Sequence, residues 1–247
     1  MALRVYNTLT RSKELFQKKH AYVADGDILG GGMDLIFPHH ENEIAQSEAY
    51  SGKPFVKYWL HNGMVHFGAD KMSKSLGNVV PTNDLIEKYS GEVVRFYILT
   101  SHYRSPLNYA GEKTIEEART ALDRLYTACD LVKAWTEAEA NDEALFEIAD
   151  DAEASELQSV CMDISTRFIR SMDDDFNTPE VLASMFDLSR KVLQIKASLD
   201  SGGNIITPAL KVVAEEVEEI FNVWGGIIGI FYKERGTIEV ASLAGER

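Results

Sequence analysis

From residue 111 almost to the end of the chain, apolar residues recur at alternating spacings of three and four, which places them along one face of an α-helix. Four such runs occur, separated by short polar stretches that include 137–153 and 200–204. Four helices with short connections favour an antiparallel bundle. The residues predicted to face the core include Ile115, Ala118, Leu122, Leu125, Cys129 and Val132 in the first run and Leu210, Val213, Val217, Ile220 and Trp224 in the last.

The first 110 residues carry a mixed pattern instead. Short apolar runs at Val5–Leu9, Tyr58–His61 and Gly63–Phe67 predict strands, and residues 18–27 predict a small hairpin that turns at Asp25-Gly26. The predicted division is residues 1–110 for the mixed α/β part, 111–232 for the helical bundle and 233–247 for a tail.

Two lysines three residues apart stand in the sequence KMSKSLGN, residues 71–78. Lys71 and Lys74 are compact charges on flexible stems, with the small hydroxyl residue Ser73 between them. A loop of this kind can neutralise the phosphates of a nucleotide. A solvated surface turn would show the same spacing, because short motifs also match by chance.

A glycine run, which we expect to form a loop, precedes the lysines and ends in a carboxylate, at residues 30–34. Glycine lets the backbone approach a ligand closely, and an acidic residue just beyond it can accept hydrogen bonds from a ribose. If Pro38 is the first helical residue, His39 and Glu43 share one helix face and could bind zinc. A His–Glu surface pair explains the same spacing.

Composition limits the classes of partner. The net charge of −14 is uneven: residues 1–110 contain 12 Lys and Arg against 11 Asp and Glu, whereas residues 111–247 contain 13 against 28. Phosphate contacts need Lys and Arg, so any RNA contact has to be local. No apolar run reaches about 18 residues, so we expect a cytoplasmic protein without a membrane partner. Cys129 and Cys161 stand at apolar helical positions and predict buried thiols.

Five longer segments have distinctive sequences and occur in a distinctive order: LRVYNTLTRSKELF, GGGMDLIFPHHENEIAQSEA, YWLHNGMVHFGADKMSKSLGN, TSHYRSPLNYA and FIRSMDDDFNTPEVLASMF. Together they resemble cysteinyl-tRNA synthetase, a class I aminoacyl-tRNA synthetase, discontinuously over nearly the whole chain. The resemblance implies the fold class α/β plus all-α. A partial doubly wound nucleotide-binding domain would be followed by an antiparallel helical bundle of the tRNA-binding type.

The resemblance also implies a function, namely ATP-dependent activation of cysteine as the adenylate and its transfer to cysteine-specific tRNA, with ATP and Mg²⁺. Lys71 and Lys74 would be the catalytic residues that hold the triphosphate. His39 and Glu43 match two of the four zinc ligands of the family. The residues implied for the ATP site are Gly31, Gly32, Asp34, His61, Gly63, Met64, Val65, Lys71, Ser73 and Lys74.

The sequence departs from the family at several places. The phosphate-binding signature His-Ile-Gly-His and the two zinc-binding cysteines of the family do not occur in it, and Leu29 stands where the family has a histidine. The chain reads as a synthetase shortened near Phe16, between Asp27 and Leu29, and at its C-terminus. We therefore expect impaired activity and weak or absent zinc binding. The exposed edges of an incomplete sheet would favour self-association.

Other functions fit the same resemblance. The chain could be a non-catalytic synthetase-like module that binds tRNA or protein through its bundle. Mycothiol cysteine ligase, a relative with the same catalytic core, is a third possibility, although the bundle and the Asn-Tyr-Ala stretch at residues 108–110 favour the tRNA enzyme.

Overall fold

A computed structural model describes residues 2–17, 26–68, 70–71, 80–138, 151–202 and 206–231 of the chain. The chain divides into two compact units that alternate along the sequence. The first unit comprises Met1–Val79, Ile98–Gly111 and Phe168–Val181, and the second comprises Val80–Tyr97, Glu112–Arg167 and Leu182–Arg247. The predicted contiguous division at residue 110 stays a prediction.

The first unit contains the strands. Strand β1 (Arg4–Asn7) pairs antiparallel with β2 (Ser12–Leu15), and β3 (Gly26–Gly32) pairs in parallel with β4 (Val56–Asn62). Helix α1 (Glu41–Ser51) lies in the connection from β3 to β4, as parallel pairing requires. Strand β5 (Val65–Phe67) pairs with β6 (Asp70–Lys71) and, in parallel, with β7 (Leu107–Tyr109).

The remaining elements are helices, and they fall at the positions that the apolar spacing predicts. The helices are α2 (Thr82–Tyr89), α3 (Gly91–Leu99), α4 (Glu112–Glu137), α5 (Ala152–Asp173), α6 (Thr178–Gly202) and α7 (Pro208–Ile228). Helix α4 packs against α7, and Ile115, Leu125 and Val213 are almost completely buried. Beyond residue 111, the described residues form these four long helices and their connections, with an isolated bridge between Asp174 and Arg4 and no strand. None of the helices described is long and apolar enough to cross a membrane.

One local expectation was confirmed and one was wrong. A π-helical turn (Ile36–His40) runs directly into α1, and within it only Phe37 is extended (φ −133°, ψ 132°), as is favoured before a proline. Continuous helical backbone therefore begins at Pro38, as predicted. The glycine run is the end of strand β3 and not a loop. Most of the predicted hairpin lies outside the described residues, and its last two residues, Gly26 and Asp27, begin β3.

Candidate functional site

Strands β3 and β4 end side by side, and two of the predicted glycines lie at this edge. Gly31 and Gly32 are paired in register with His61 and Asn62. A Cβ at position 31 would lie 2.7 Å from Cε1 of His40, so a glycine is needed for the imidazole to pack there. Ligands of open α/β sheets bind outside the carboxyl ends of parallel strands. The structure therefore brings the predicted glycines to an edge that suits a ligand.

Asp34 lies next to the same edge, in a short 3₁₀ helix (Met33–Leu35) that follows β3. A Cβ on Gly32 would lie 2.5 Å from Oδ1 of Asp34. The absence of a side chain at position 32 thus lets the carboxylate fold back over the end of the strand. The glycine run and the Asp34 carboxylate, which are close in the sequence, are therefore also close in space.

His61 is buried at the end of β4 and forms a pair with His40. Nδ1 of His40 lies 2.7 Å from Nε2 of His61, and the indole of Trp59 is nearly parallel to the His61 ring. Burial lowers the pKa of His61, and the neighbouring His40 lowers it further. Nδ1 of His61 is buried and has no hydrogen-bond partner among the described residues. Sequence reasoning named His61 but missed His40, because it assigned the adjacent His39 to the site.

Gly63, Met64 and Val65 connect β4 to β5, and the chain near residue 105 packs against them. The backbone N–H of Gly63 donates to the carbonyl of Tyr103 (2.7 Å), and the N–H of Leu107 donates to the carbonyl of Met64 (3.0 Å). Val65 begins β5, next to β7. These three predicted residues therefore hold segment 103–107 close to the end of β4.

A cavity of about 390 Å³ opens beside the two histidines. This volume is within the range of small-molecule sites, roughly 300–1,000 Å³. Its walls are mostly apolar, with two arginines and one glutamate among the polar residues. The lining residues are Tyr6, Thr8, Leu9, Arg11, Met33, Ile36, His40, Glu41, Ile44, Trp59, His61 and Arg104.

A second cavity of about 570 Å³ reaches the same pair of strands. Gly30 and Gly31 of β3 and Leu60 and Asn62 of β4 line it, and it is more open to solvent than the first. Gly31 therefore separates two spaces: its neighbour His40 lines the first cavity, and its own backbone lines the second. Two adjoining spaces at one edge can hold two parts of a ligand or two ligands.

The predicted lysine loop begins at the end of strand β6. Lys71 is paired with His66 of β5, so its backbone belongs to the same sheet as Val65. Ser73 and Lys74 lie outside the described residues. The structure therefore places the start of the loop, and the contacts of its lysines stay predictions.

His39 and Glu43 do not complete a zinc site. Both side chains are exposed, and His39 lies in the helical turn that runs directly into α1, four residues before Glu43. Protein-bound zinc normally has at least three protein ligands. Within the part of the chain that the structure describes, no group of three or more His, Cys, Asp or Glu side chains could hold a metal. The described residues therefore do not fit the zinc centre that the family resemblance implies.

The two cysteines are free thiols. Cys161 is buried in α5 and Cys129 is partly buried in α4. Burial is the main reason that the pKa of each rises to about 12, which keeps the thiols protonated at neutral pH. The prediction of a buried thiol is confirmed for Cys161, whereas Cys129 is only partly buried.

Asp175 is a residue that sequence reasoning missed. Its carboxylate is completely buried, accepts from the backbone N–H of Tyr6 (2.7 Å) and the hydroxyl of Tyr103 (2.8 Å), and forms an ion pair with Nε of Arg104 (2.6 Å). Asp175 is the last of three consecutive aspartates, residues 173–175. Asp is one of the residue types that tolerate left-handed backbone, and Asp175 has φ 63°, so the residue type alone hinted at a tight turn here. Spacing could not reveal partners that are 71 to 169 residues away.

Two segments match known protein families. Residues 13–120 match the tRNA synthetases class I (C) catalytic domain, and residues 167–232 match the DALR domain. The first match contains β3, β4 and the start of the lysine loop, and the second contains α6 and α7.

Curated relatives are cysteine–tRNA ligases. That of Geobacter sulfurreducens is 43% identical over 214 residues, which cover 85% of this chain and 40% of the relative. That of Methylococcus capsulatus is 49% identical over 172 residues, which cover 70% of this chain and 33% of the relative. The chain thus spans about two fifths or less of the length of these relatives.

Solved structures confirm the predicted fold class. LeuRS of Agrobacterium radiobacter K84, in a ternary complex with tRNA and LeuAMS, has a TM-score of 0.59 at 17% identity and covers 82% of this chain and 26% of its own. Mycobacterium tuberculosis methionyl-tRNA synthetase in complex with methionyl-adenylate has a TM-score of 0.56 at 16% identity, and the match covers 78% of this chain and 38% of the synthetase. A nucleotide-binding α/β part that resembles class I synthetases, followed by helices that match the DALR domain, makes this chain similar to the cysteine–tRNA ligases over most of its own length.

Proposed function

We propose that the chain carries out, or derives from a protein that carries out, the cytoplasmic cysteine–tRNA ligase reaction. The observation that carries this proposal is the glycine-lined edge of β3 and β4, with two adjoining cavities, in a chain more than 40% identical to cysteine–tRNA ligases. An edge of this kind can seat a nucleotide beside a small amino acid.

The proposed reaction has two steps. One carboxylate oxygen of cysteine attacks the α-phosphorus of ATP, the bond from that phosphorus to the α,β-bridging oxygen breaks, and pyrophosphate leaves; Mg²⁺, when bound, would help to neutralise the charge of the phosphates. A hydroxyl at the 3′ end of tRNA then attacks the acyl carbon, and AMP leaves. Phosphoryl-group chemistry of this type needs mainly positioning and charge neutralisation from the protein.

The predicted site residues would divide this work. Gly31 and Gly32 would allow close approach of the adenosine to the backbone, and Asp34 would accept from the ribose. His61 to Val65 would flank the adenine. The Lys71 and Lys74 ammonium groups, with Ser73 shaping their loop, would balance the charge that develops on the leaving pyrophosphate.

We expect cysteine activation to be slow in this chain. The lysine loop neutralises one side of the triphosphate, and the His-Ile-Gly-His element that would serve the other side is absent from the sequence. Removing one preorganised charge-stabilising group commonly lowers a rate by about 10²–10³. Cysteine-dependent exchange of labelled pyrophosphate into ATP tests the proposal, with an intact cysteine–tRNA ligase as reference. Exchange that is detectable but at least about 100-fold slower is expected, and exchange that needs no cysteine would contradict the proposal.

A second candidate function, a non-catalytic binding module, is supported by the incomplete set of metal-binding groups. His39 and Glu43 lack further metal-binding partners among the described residues, while the DALR match is intact over residues 167–232. A non-catalytic module would use these helices to bind tRNA, with cysteine-specific tRNA as the first candidate. Saturable binding of that tRNA without any pyrophosphate exchange would favour this alternative.

Self-association is part of the same proposal. Large apolar side chains are exposed in both units, including Phe37 and Tyr50 in the first and Met162 and Ile227 in the second. Contiguous apolar surface commonly marks a protein interface. Light scattering coupled to size exclusion would give a mass of about twice 27.6 kDa for a dimer, and a monomeric mass at high protein concentration would exclude it.

A further inference from the structure

The guanidinium of Arg104 is held in one orientation at the first cavity. Its Nε donates to Oδ2 of Asp175 over 2.6 Å, and its Cζ lies 4.4 Å from the centre of the Tyr6 ring. A hydrogen bond at one edge and an aromatic ring against its face together restrict the guanidinium plane. Arg104 and Tyr6 both line the cavity of about 390 Å³.

Asp175 is itself immobilised, so it can act as a fixed support. Its side chain is 0% exposed, and Oδ1 accepts from the N–H of Tyr6 and the hydroxyl of Tyr103. Its own backbone N–H donates to the carbonyl of Arg4 over 2.7 Å. These contacts join β1 and segment 102–105 to the connection between α5 and α6, which carries Asp175.

The terminal nitrogens of Arg104 remain available for another acceptor. A guanidinium has five N–H donors in a rigid fork, and Nε uses one of them here. Among the described residues, the guanidinium also interacts with the hydroxyl of Tyr103, which leaves further N–H groups on its terminal nitrogens for a ligand. A planar fork fixed in this way is suited to a carboxylate, which it can bind through two parallel hydrogen bonds.

The other charges of the cavity favour a small zwitterion over a polyphosphate. Arg11 and Glu41 line the same space as Arg104, so one carboxylate is present among the two arginines. Glu41 would attract an ammonium group and repel a chain of phosphates. The remaining walls are apolar or aromatic, as in Ile36, Ile44 and Trp59, and leave room for a short side chain.

We propose that Arg104, oriented by Asp175, binds the α-carboxylate of a small amino acid in this cavity, with Glu41 facing its ammonium group. The inference deepens the proposed function, since cysteine is the amino acid that the ligase reaction requires. It assigns Arg104 as a binding residue and Asp175 as the residue that positions it. Each carboxylate oxygen that accepts from Arg104 keeps a second lone pair, which is free for attack on a phosphorus atom.

Three thiols separate the two charges of the ligand. L-Cysteine carries both charges, 3-mercaptopropionate carries the carboxylate alone, and cysteamine carries the ammonium alone. Isothermal titration of the wild-type chain should show that cysteine and 3-mercaptopropionate bind, with cysteamine at least about ten-fold weaker than cysteine. Arg104→Gln should weaken cysteine and 3-mercaptopropionate about ten-fold or more and leave cysteamine unchanged.

Further variants distinguish binding from a structural role. Arg104→Lys keeps a positive charge beside Asp175 but lacks the fork, so it should fold and bind the two carboxylates with intermediate affinity. Asp175→Asn should weaken the same two ligands without affecting cysteamine. Arg119→Gln, an exposed arginine paired with Glu116 on α4, is the matched control and should change none of the three affinities.

Each outcome decides the inference. Equal weakening of all three thiols in Arg104→Gln and Arg104→Lys would show that Arg104 acts only through the fold, and unchanged affinities would remove it from the site. Failure of the wild type to bind 3-mercaptopropionate would also overturn the inference. Pyrophosphate exchange reports separately on the proposed function: exchange without Arg104-dependent binding retains the function, and Arg104-dependent binding without exchange retains the inference.

Discussion

Gly63 and Ser105 are in such close contact that a Cβ on residue 63 would overlap the carbonyl group of Ser105 and lie 2.8 Å from the nitrogen of Pro106. The neighbouring hydrogen bonds, from Gly63 N–H to Tyr103 and from Leu107 N–H to Met64, hold the two segments at this distance. Because the opposing atoms belong to the backbone, no rotamer change can relieve the overlap. The segment that carries Arg104 therefore depends on a glycine at position 63.

Gly63→Ala should lower the free energy of unfolding by about 1–3 kcal/mol, the usual range for overpacking. The measurement is urea unfolding followed by circular dichroism. Gly226→Ala is the control, since a Cβ there meets no atom within 4 Å and the residue lies inside α7. That control should raise stability by about 0.5–1 kcal/mol, because alanine is the better helix former. An unchanged midpoint for Gly63→Ala would show that segment 103–107 moves freely.

Asp175→Asn should also lower stability. Asparagine keeps the shape and tolerates the left-handed backbone (φ 63°), so the change isolates the charge that pairs with Arg104. Loss of one partner from a fully buried pair costs about 3–5 kcal/mol. The Arg104 side chain is 29% exposed, so we expect about 1–3 kcal/mol in the same urea assay. Asp187→Asn, whose partners Arg167 and Arg190 are more accessible, should cost about 1 kcal/mol or less.

Stability should decrease as the pH falls below about 6.5, partly because of His61. Its pKa in the folded chain is lowered by burial and by His40, so the unfolded chain binds a proton on His61 more readily than the folded chain does. The contribution of neutral His61 is present above the pKa of the unfolded state and is lost as pH falls towards the folded pKa. The free energy of unfolding, measured at pH 7.5 and pH 5.5, should decline less in His61→Gln than in the wild type. Parallel declines would assign the pH dependence to other groups, such as His102, whose pKa burial also lowers.

ATP binding should depend on the lysine loop. Charge-assisted contacts to phosphate are typically worth about 1.5–3 kcal/mol, so Lys71→Ala or Lys74→Ala should weaken ATP about ten-fold or more in calorimetry. Lys113→Ala is the control, because Lys113 is an exposed lysine of α4 whose ion-pair partner is Glu117 of the same helix. Equal ATP affinity in the wild type and the double variant would identify the loop as a surface turn.

The purified chain should contain far less than one zinc ion per molecule by atomic absorption. His39 and Glu43 are two exposed ligands, and a stable protein site needs at least one more. His39→Ala should leave whatever zinc is measured unchanged. Stoichiometric zinc that is lost in His39→Ala would show that further ligands reach these two residues.

The sequence alone determined the helices beyond residue 111 and the presence of a nucleotide-type edge. Helical burial depends on spacings of three and four, which a local pattern records, and Ile115, Leu125 and Val213 are buried as that pattern requires. The glycines and His61 could be identified because the motif that contains them is distinctive.

Only the tertiary structure decided which side chains complete the site. His40 is buried against His61, whereas its neighbour His39 in the same helical turn is exposed. Asp175 meets Arg104 and Tyr6 because elements from three distant parts of the chain converge on one carboxylate. The spacing of residues along the chain cannot predict such contacts, because they depend on how whole strands and helices pack against one another. The buried carboxylate of Asp175 is stabilised by contacts of this kind.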